Sequence, residues 1–209
     1  MATLTYRTAG ESHGPALLAL IEGLPAGVNV DKPFIDSELR RRQGGYGRGG
    51  RQRIETDAID VLSGVRRGKS IGSPIALQVV NRDSRLDDAP AVHRPRPGHA
   101  DLAGSIKWLT TDCRETLERA SARETAARVA AGALSRCLLR EFGIDVFGYV
   151  LSIGSATAQF DASASPDALR RQRDESDVYC PDPNASEAMR ALIRQAKIDK
   201  DTLGGVFEI

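Results

Sequence analysis

The stretch from Ala122 to Phe142 is the one that most constrains the fold. Ala126, Ala130, Leu134 and Leu138 recur every fourth residue, flanked by Val129, Ala133 and Cys137. That spacing puts them on one helix face. Alanine adds little bulk, so the spacing predicts a helix pressed closely onto its neighbours. Ser121 followed by Glu124 has the form of a capping box, and Gly143 fits a C-terminal stop. Around this helix, short apolar runs at 4–7, 17–22, 58–62, 75–80 and 146–153 read as strands. Residues 33–42 read as a short helix capped by Asp31, with Ile35 and Leu39 on one face. Asn184 with Glu187 reads as the start of another helix, carrying Met189, Leu192, Ile193 and Ala196. Residues 204–209 begin a further strand. The first half is strand-rich and has no clean βαβ rhythm, so the chain predicts an α+β fold in one domain over 1–209.

Several classes are disfavoured by composition. Lysine and arginine number 29 against 28 acidic residues, a net charge of +1. A general nucleic-acid or membrane-surface binder is expected to be more basic. The three cysteines, Cys113, Cys137 and Cys180, are odd in number and far apart, which predicts a reducing compartment without a disulfide framework. No CxxC or His–Cys cluster predicts a metal. The N-terminus lacks a secretory pattern and no apolar run spans a bilayer, so a cytoplasmic protein is expected. Gly68-Lys69-Ser70 falls one residue short of P-loop spacing from Gly64, and a tight turn between strands is the better reading.

Local charge is another matter. Arg40–Arg53, RRRQGGYGRGGRQR, holds six arginines and five glycines without an acidic residue. Guanidinium forks fit phosphate or carboxylate bidentately, and glycine lets backbone N–H groups turn toward a ligand. A loop around a multiply charged anion, a solvated basic loop and an Arg-Gly-Gly RNA-binding segment are all compatible, the last ranked lowest because Tyr46 is the sole aromatic. His13 in GESHGP and His99 in RPRPGHAD sit beside Gly and Pro rather than on an apolar face. Each is a candidate for proton exchange near neutrality, against the plainer reading of a loop histidine bonded to backbone. His93 reads as peripheral. Arg94 and Arg96 add charge beside His99. Arg123 falls in a first helical turn, where the dipole disfavours a cation. A bound anion would remove that conflict; so would water, or pairing with Glu118 or Glu124.

GESHGP at 10–15, RRRQGGYGRGGR at 40–51, RPGHADLAG at 96–104, ASARETAARVAAGA at 120–133 and DTLGGVFEI at 201–209 together resemble the chorismate synthase family. The resemblance implies a β-α-β sandwich, cytoplasmic location and a homotetramer. It implies anti-1,4-elimination of phosphate from 5-enolpyruvylshikimate-3-phosphate to give chorismate, in the shikimate pathway. The reaction needs reduced FMN although it is redox-neutral; NADP-linked flavin reduction is left open by the residues. By matching position, Ser12, Arg42, Arg48, Arg51, Arg96 and Arg123 would hold substrate anions. His13 would protonate the departing phosphate. His99 would lie against the flavin, and Ser121, Ala122 and Arg123 would border its pocket. No metal, nucleic-acid or membrane partner is implied. The family's chains continue past the equivalent of Ile209, so this chain is expected to be the N-terminal portion of a longer catalytic domain. The alternative is a catalytically inactive fragment that only folds, binds anions or self-associates.

Overall fold

The computed structural model describes residues 3–49, 54–160 and 163–209. Packing groups the chain into two compact units. One comprises Met1–Arg42 and Gly50–Ile144, the other Gln43–Gly49 and Asp145–Ile209.

The first unit is built on an antiparallel sheet of β1 (Thr5–Ala9), β2 (Ala16–Glu22), β6 (Ile75–Val80) and β3 (Asp60–Ser63), in the order β1-β2-β6-β3. Alternation decides its two faces. Leu17, Ala19 and Ile21 of β2 and Ile75, Leu77 and Val79 of β6 are buried, whereas Leu18, Leu20 and Val80 are exposed. Helix α1 (Lys32–Gln43) adds Ile35 and Leu39 to the same core. Its start is fixed by Asp31, whose carboxylate accepts from Phe34 N at 3.0 Å. The basic cluster Arg40, Arg41 and Arg42 occupies its last turn, where the helix dipole favours cations. Between β3 and β6 lies a two-stranded hairpin, β4 (Val65–Arg66) and β5 (Lys69–Ser70). Its turn is Arg67-Gly68, both at positive φ, so the Gly-Lys-Ser sequence is indeed a tight turn.

The alanine-rich helix lies across the buried sheet face and contacts β1, β2 and β6. It begins later than the sequence suggests. Ala122–Glu124 forms a 3-10 turn, and α4 proper spans Thr125–Arg140. Only half of the expected capping box forms. Ser121 Oγ accepts from Arg123 N, but the Glu124 carboxylate binds Thr8 and Arg128 instead of reaching back. Ala126, Ala127, Ala130, Ala131 and Ala133 are all buried with Leu134 and Cys137. Gly143 sits at φ +68°, matching the predicted stop.

Two short helices were not foreseen: α2 (Asp101–Trp108) and α3 (Arg114–Arg119). Neither carries a long apolar period. They pack on each other at Gly104, where an added Cβ would lie 2.1 Å from Thr116 Cγ2. A glycine there is what allows the approach.

The second unit holds a three-stranded antiparallel sheet, β8 (Ala156–Thr157), β7 (Tyr149–Ile153) and β9 (Gly205–Glu208), with β7 central. Helices α5 (Pro166–Glu175) and α6 (Pro183–Asp199) complete it. α5 escaped prediction although Ser165-Pro166 is a legible start: Ser165 caps Ala168 N and proline takes the first turn. α6 is capped by Asp182 rather than Asn184, because the carboxylate accepts from both Asn184 N and Ala185 N. Val178, Cys180, Ala185 and Met189 form its small core, against which Tyr46 and Ile193 pack.

Candidate active site

The first unit concentrates chemistry where the 10–15 loop, the end of β6, α2 and α3 meet. Gly10 opens that loop at φ +100°; an added Cβ would lie 2.3 Å from the Ala16 carbonyl oxygen. The loop is then clamped from two sides. Ser12 N donates to the Glu118 carbonyl at 3.0 Å. Asn81, buried at the end of β6, donates through Nδ2 to the carbonyls of Glu11 and Gly14 at 3.0 and 2.7 Å. Asn81 N donates to the Pro15 carbonyl.

This clamp fixes His13. Its Nδ1 lies 2.8 Å from Glu118 Oε2, and its Nε2 lies 3.5 Å from Asp83 Oδ2. The same Glu118 oxygen accepts from His13 N at 3.0 Å and from Ser12 Oγ at 2.6 Å. The other oxygen accepts from Arg114 Nη1 at 2.9 Å. Burial pushes the Glu118 carboxyl up, but hydrogen bonds from Ser12, His13 and Arg114 outweigh it and hold the group below its usual range. Glu118 is therefore an anion inside the protein.

His99 is held in a similar way over a shorter reach. Its Nδ1 contacts Asp101 Oδ1. Asp101 is wholly buried in the first turn of α2, where the dipole favours a carboxylate. It also accepts from Arg96 N, Nε and Nη2 at 3.0, 2.9 and 3.2 Å. The Arg96 hydrogen bonds hold Asp101 far below the ordinary carboxylate range, against the effect of burial. Arg96 keeps about half of its side chain in solvent. Its guanidinium is stabilised first by Asp101 and more weakly by Glu118, which links the two histidine clusters electrostatically.

Arg123 corrects the sequence reading. It pairs with neither Glu118 nor Glu124 and does not extend into water. Its Nη1 donates to both oxygens of Asp57 at 2.6 and 2.8 Å, and its Nε to Asn81 Oδ1 at 2.9 Å. An internal carboxylate thus answers the unfavourable dipole. Arg42 shares Asp57 Oδ2 at 2.9 Å. Both arginines are thereby tied to the scaffold, and through Asn81 the pair is joined to the loop that carries His13. Arg42 Nε is nevertheless buried without a hydrogen-bond partner among the described residues.

Of the residues singled out from the sequence, the structure brings Ser12 and His13 together on Glu118, Arg96 and His99 on Asp101, and Arg42 and Arg123 on Asp57. Ser121 is half-buried at the 3-10 turn, and Ala122 is exposed beside it. Arg48 belongs to the second unit, where its Nε donates to the Gly44 carbonyl at 3.1 Å. Arg51 lies outside the described residues. His93 is exposed, its Nδ1 3.0 Å from the Thr111 carbonyl. The sequence reading missed Glu118, Asp101, Asp57 and Asn81. Asp101, two residues from His99, was within reach of inspection; the others are distant in the chain from the groups they hold.

Among the described residues no group of three or more His, Cys, Asp or Glu side chains is arranged to hold a metal ion, and no helix is long and apolar enough to cross a membrane. The arginine donors fit an anionic, phosphorylated ligand better. Arg42 Nε is an orphaned buried donor. Arg96 offers a half-exposed guanidinium beside a histidine whose Nδ1 is already committed.

Comparison with known proteins agrees with the motifs. The chorismate synthase family model matches residues 4–209. Chorismate synthase of Desulforamulus reducens is 51% identical over 218 residues, covering 99% of this chain and 56% of that protein. The Symbiobacterium thermophilum enzyme is 53% identical over 223 residues, covering 99% and 57%. A crystal structure of chorismate synthase superposes with a TM-score of 0.79 at 42% identity, covering 98% of this chain and 56% of that one. The chain spans a little over half the length of these relatives. With an α+β fold, these motifs in order and this breadth of similarity, the chain belongs to the chorismate synthase family.

Proposed function

We propose that this chain carries the proton-donating part of a chorismate synthase active site. The reaction is the 1,4-elimination of phosphate from 5-enolpyruvylshikimate-3-phosphate. The supporting observation is His13: its Nδ1 is anchored on buried, ionised Glu118, and its Nε2 points the other way, toward Asp83. In the reaction the C–O bond to phosphate breaks, a ring C–H bond breaks, and a new C=C bond forms. His13 gives its Nε2 proton to the departing phosphate oxygen. Arg96, partly exposed, and Arg42, as the family resemblance implies, hold anionic groups of the substrate. Ser12, locked on Glu118, fixes the loop beneath it. Arg48 and Arg51 take the anion-holding role that the family resemblance implies. Arg123 serves by orienting Arg42 and Asn81 through Asp57 rather than by reaching the ligand itself. When bound, reduced FMN supplies transient electron density for the breaking C–O bond and help in removing the ring proton. His99, Ser121 and Ala122 would hold it on this chain. The family's tetramer and cytoplasmic setting accompany this reading.

Anaerobic mixing with pre-reduced FMN and the substrate, followed by phosphate release, tests the reading. His13→Ala should slow release by ~10²–10⁴-fold. Near-normal release by that variant would remove His13 from the reaction.

A further inference from the structure

His13 and His99 are held by the same device. In each, Nδ1 faces the oxygen of a carboxylate whose side chain is 0% exposed, Glu118 in one case and Asp101 in the other. Each carboxylate is gripped on its far side by an arginine, Arg114 or Arg96. An ionised carboxylate only accepts hydrogen bonds, so an imidazole nitrogen within hydrogen-bond distance of it must carry the hydrogen. Glu118 Oε2 is that close to His13 Nδ1 at 2.8 Å, whereas Asp83 Oδ2, at 3.5 Å from Nε2, is not. A neutral imidazole in water favours the opposite tautomer, with the hydrogen on Nε2. The two carboxylates sit on α3 and α2, and the Gly104–Thr116 contact sets those helices against each other. The geometry points to Glu118 and Asp101 as positioning residues. Each locks its histidine as the Nδ1–H tautomer, which leaves Nε2 as the atom that exchanges protons.

Glu118 and Asp101 differ from the histidines they serve in that neither is accessible to a ligand. Glu118, Ser12 and Asp83 are among the groups that face the His13 ring, and Asp101 and Arg96 are among those that face His99. Arg96 Nη2 lies 3.2 Å from His99 Nδ1, but once that nitrogen is protonated the guanidinium cannot donate to it and stays bonded to Asp101. The catalytic consequence rests on the proposed elimination; the tautomers themselves do not.

Nitrogen NMR of the imidazoles in the full 209-residue chain, above the histidine titration range and without ligand, reads the tautomers directly. The chain has only three histidines, so single substitutions assign every ring. Neutral His13 and His99 should both appear as Nδ1–H. Glu118→Gln should convert only His13 to a mixture, because an amide can present either its oxygen or its NH2 group. Asp101→Asn should do the same only to His99, with His93 unchanged in both. Glu118→Gln should also lower turnover by ~10–100-fold, chiefly in kcat. An Nε2–H spectrum for either ring in the unsubstituted chain overturns the assignment for that ring, whether or not the variants fold. Intact Nδ1–H tautomers alongside normal phosphate release by His13→Ala would sink the proposed reaction and leave the positioning role standing.

Discussion

The two histidine sites look alike at the ring and differ in what builds them. His99 is anchored by Asp101, two residues further on, in the first turn of one short helix. His13 is anchored by Glu118, 105 residues away, and only because Asn81 and the Glu118 backbone clamp its loop. One site is a local turn; the other is a product of the whole first unit. Damage to the fold should therefore reach His13 before it reaches His99.

The largest expected effect follows from removing each anchor. Glu118→Ala leaves Arg114, Ser12 and His13 without a shared buried partner and should cost ~3–5 kcal/mol in denaturant unfolding. Asp101→Ala releases Arg96, which already reaches solvent, and should cost ~1–3 kcal/mol. Equal losses, or a larger loss at Asp101, would erase the distinction between a tertiary and a local site.

Next in size is Gly104→Ala. The added methyl meets the Thr116 side chain and should cost ~1–3 kcal/mol by overpacking. Because it separates α2 from α3, it should broaden the imidazole signals of both histidines. A spectrum changed at one ring alone would show that the helix contact does not couple the sites.

The smallest effect is on acid stability. Both carboxylates titrate below their unfolded values of 4.5 for Glu118 and 3.8 for Asp101. Their stabilisation is complete above those values and is lost as the pH falls through the lower folded values. Asp101 is held further down, so its share persists to lower pH. Glu118→Gln should therefore flatten the stability profile below about pH 4.5, by at most ~1.4 kcal/mol per pH unit for one group. An unchanged acid limb would mean that Glu118 is not ionised in the fold.

The same contrast explains what could be read from the chain. The alanine stripe of α4, the apolar runs of β2 and β6 and the glycine stop at Gly143 are periodic, compositional or punctuating signals, and the structure matches them. The helices α2 and α3 are too short to show a period, and they carry both anchoring carboxylates. Glu118 lies inside RETLER, where an acid between arginines looks like an ordinary solvated helix; only tertiary contact reveals its burial. Arg123 was legible as an oddity, a cation at a helix start. Its answer, Asp57, lies 66 residues away and had no local mark. The motifs pointed to candidate residues, but the partners that hold them in place came from the fold.

The most direct test of the account is a double-substitution cycle on phosphate release, because it asks whether Glu118 acts through His13. Glu118→Gln should slow release by ~10–100-fold in the parent protein and in His99→Ala, yet by less than about twofold once His13 is already alanine. An equal cost of Glu118→Gln with and without His13 would contradict it, since the carboxylate would then be acting on something other than that imidazole.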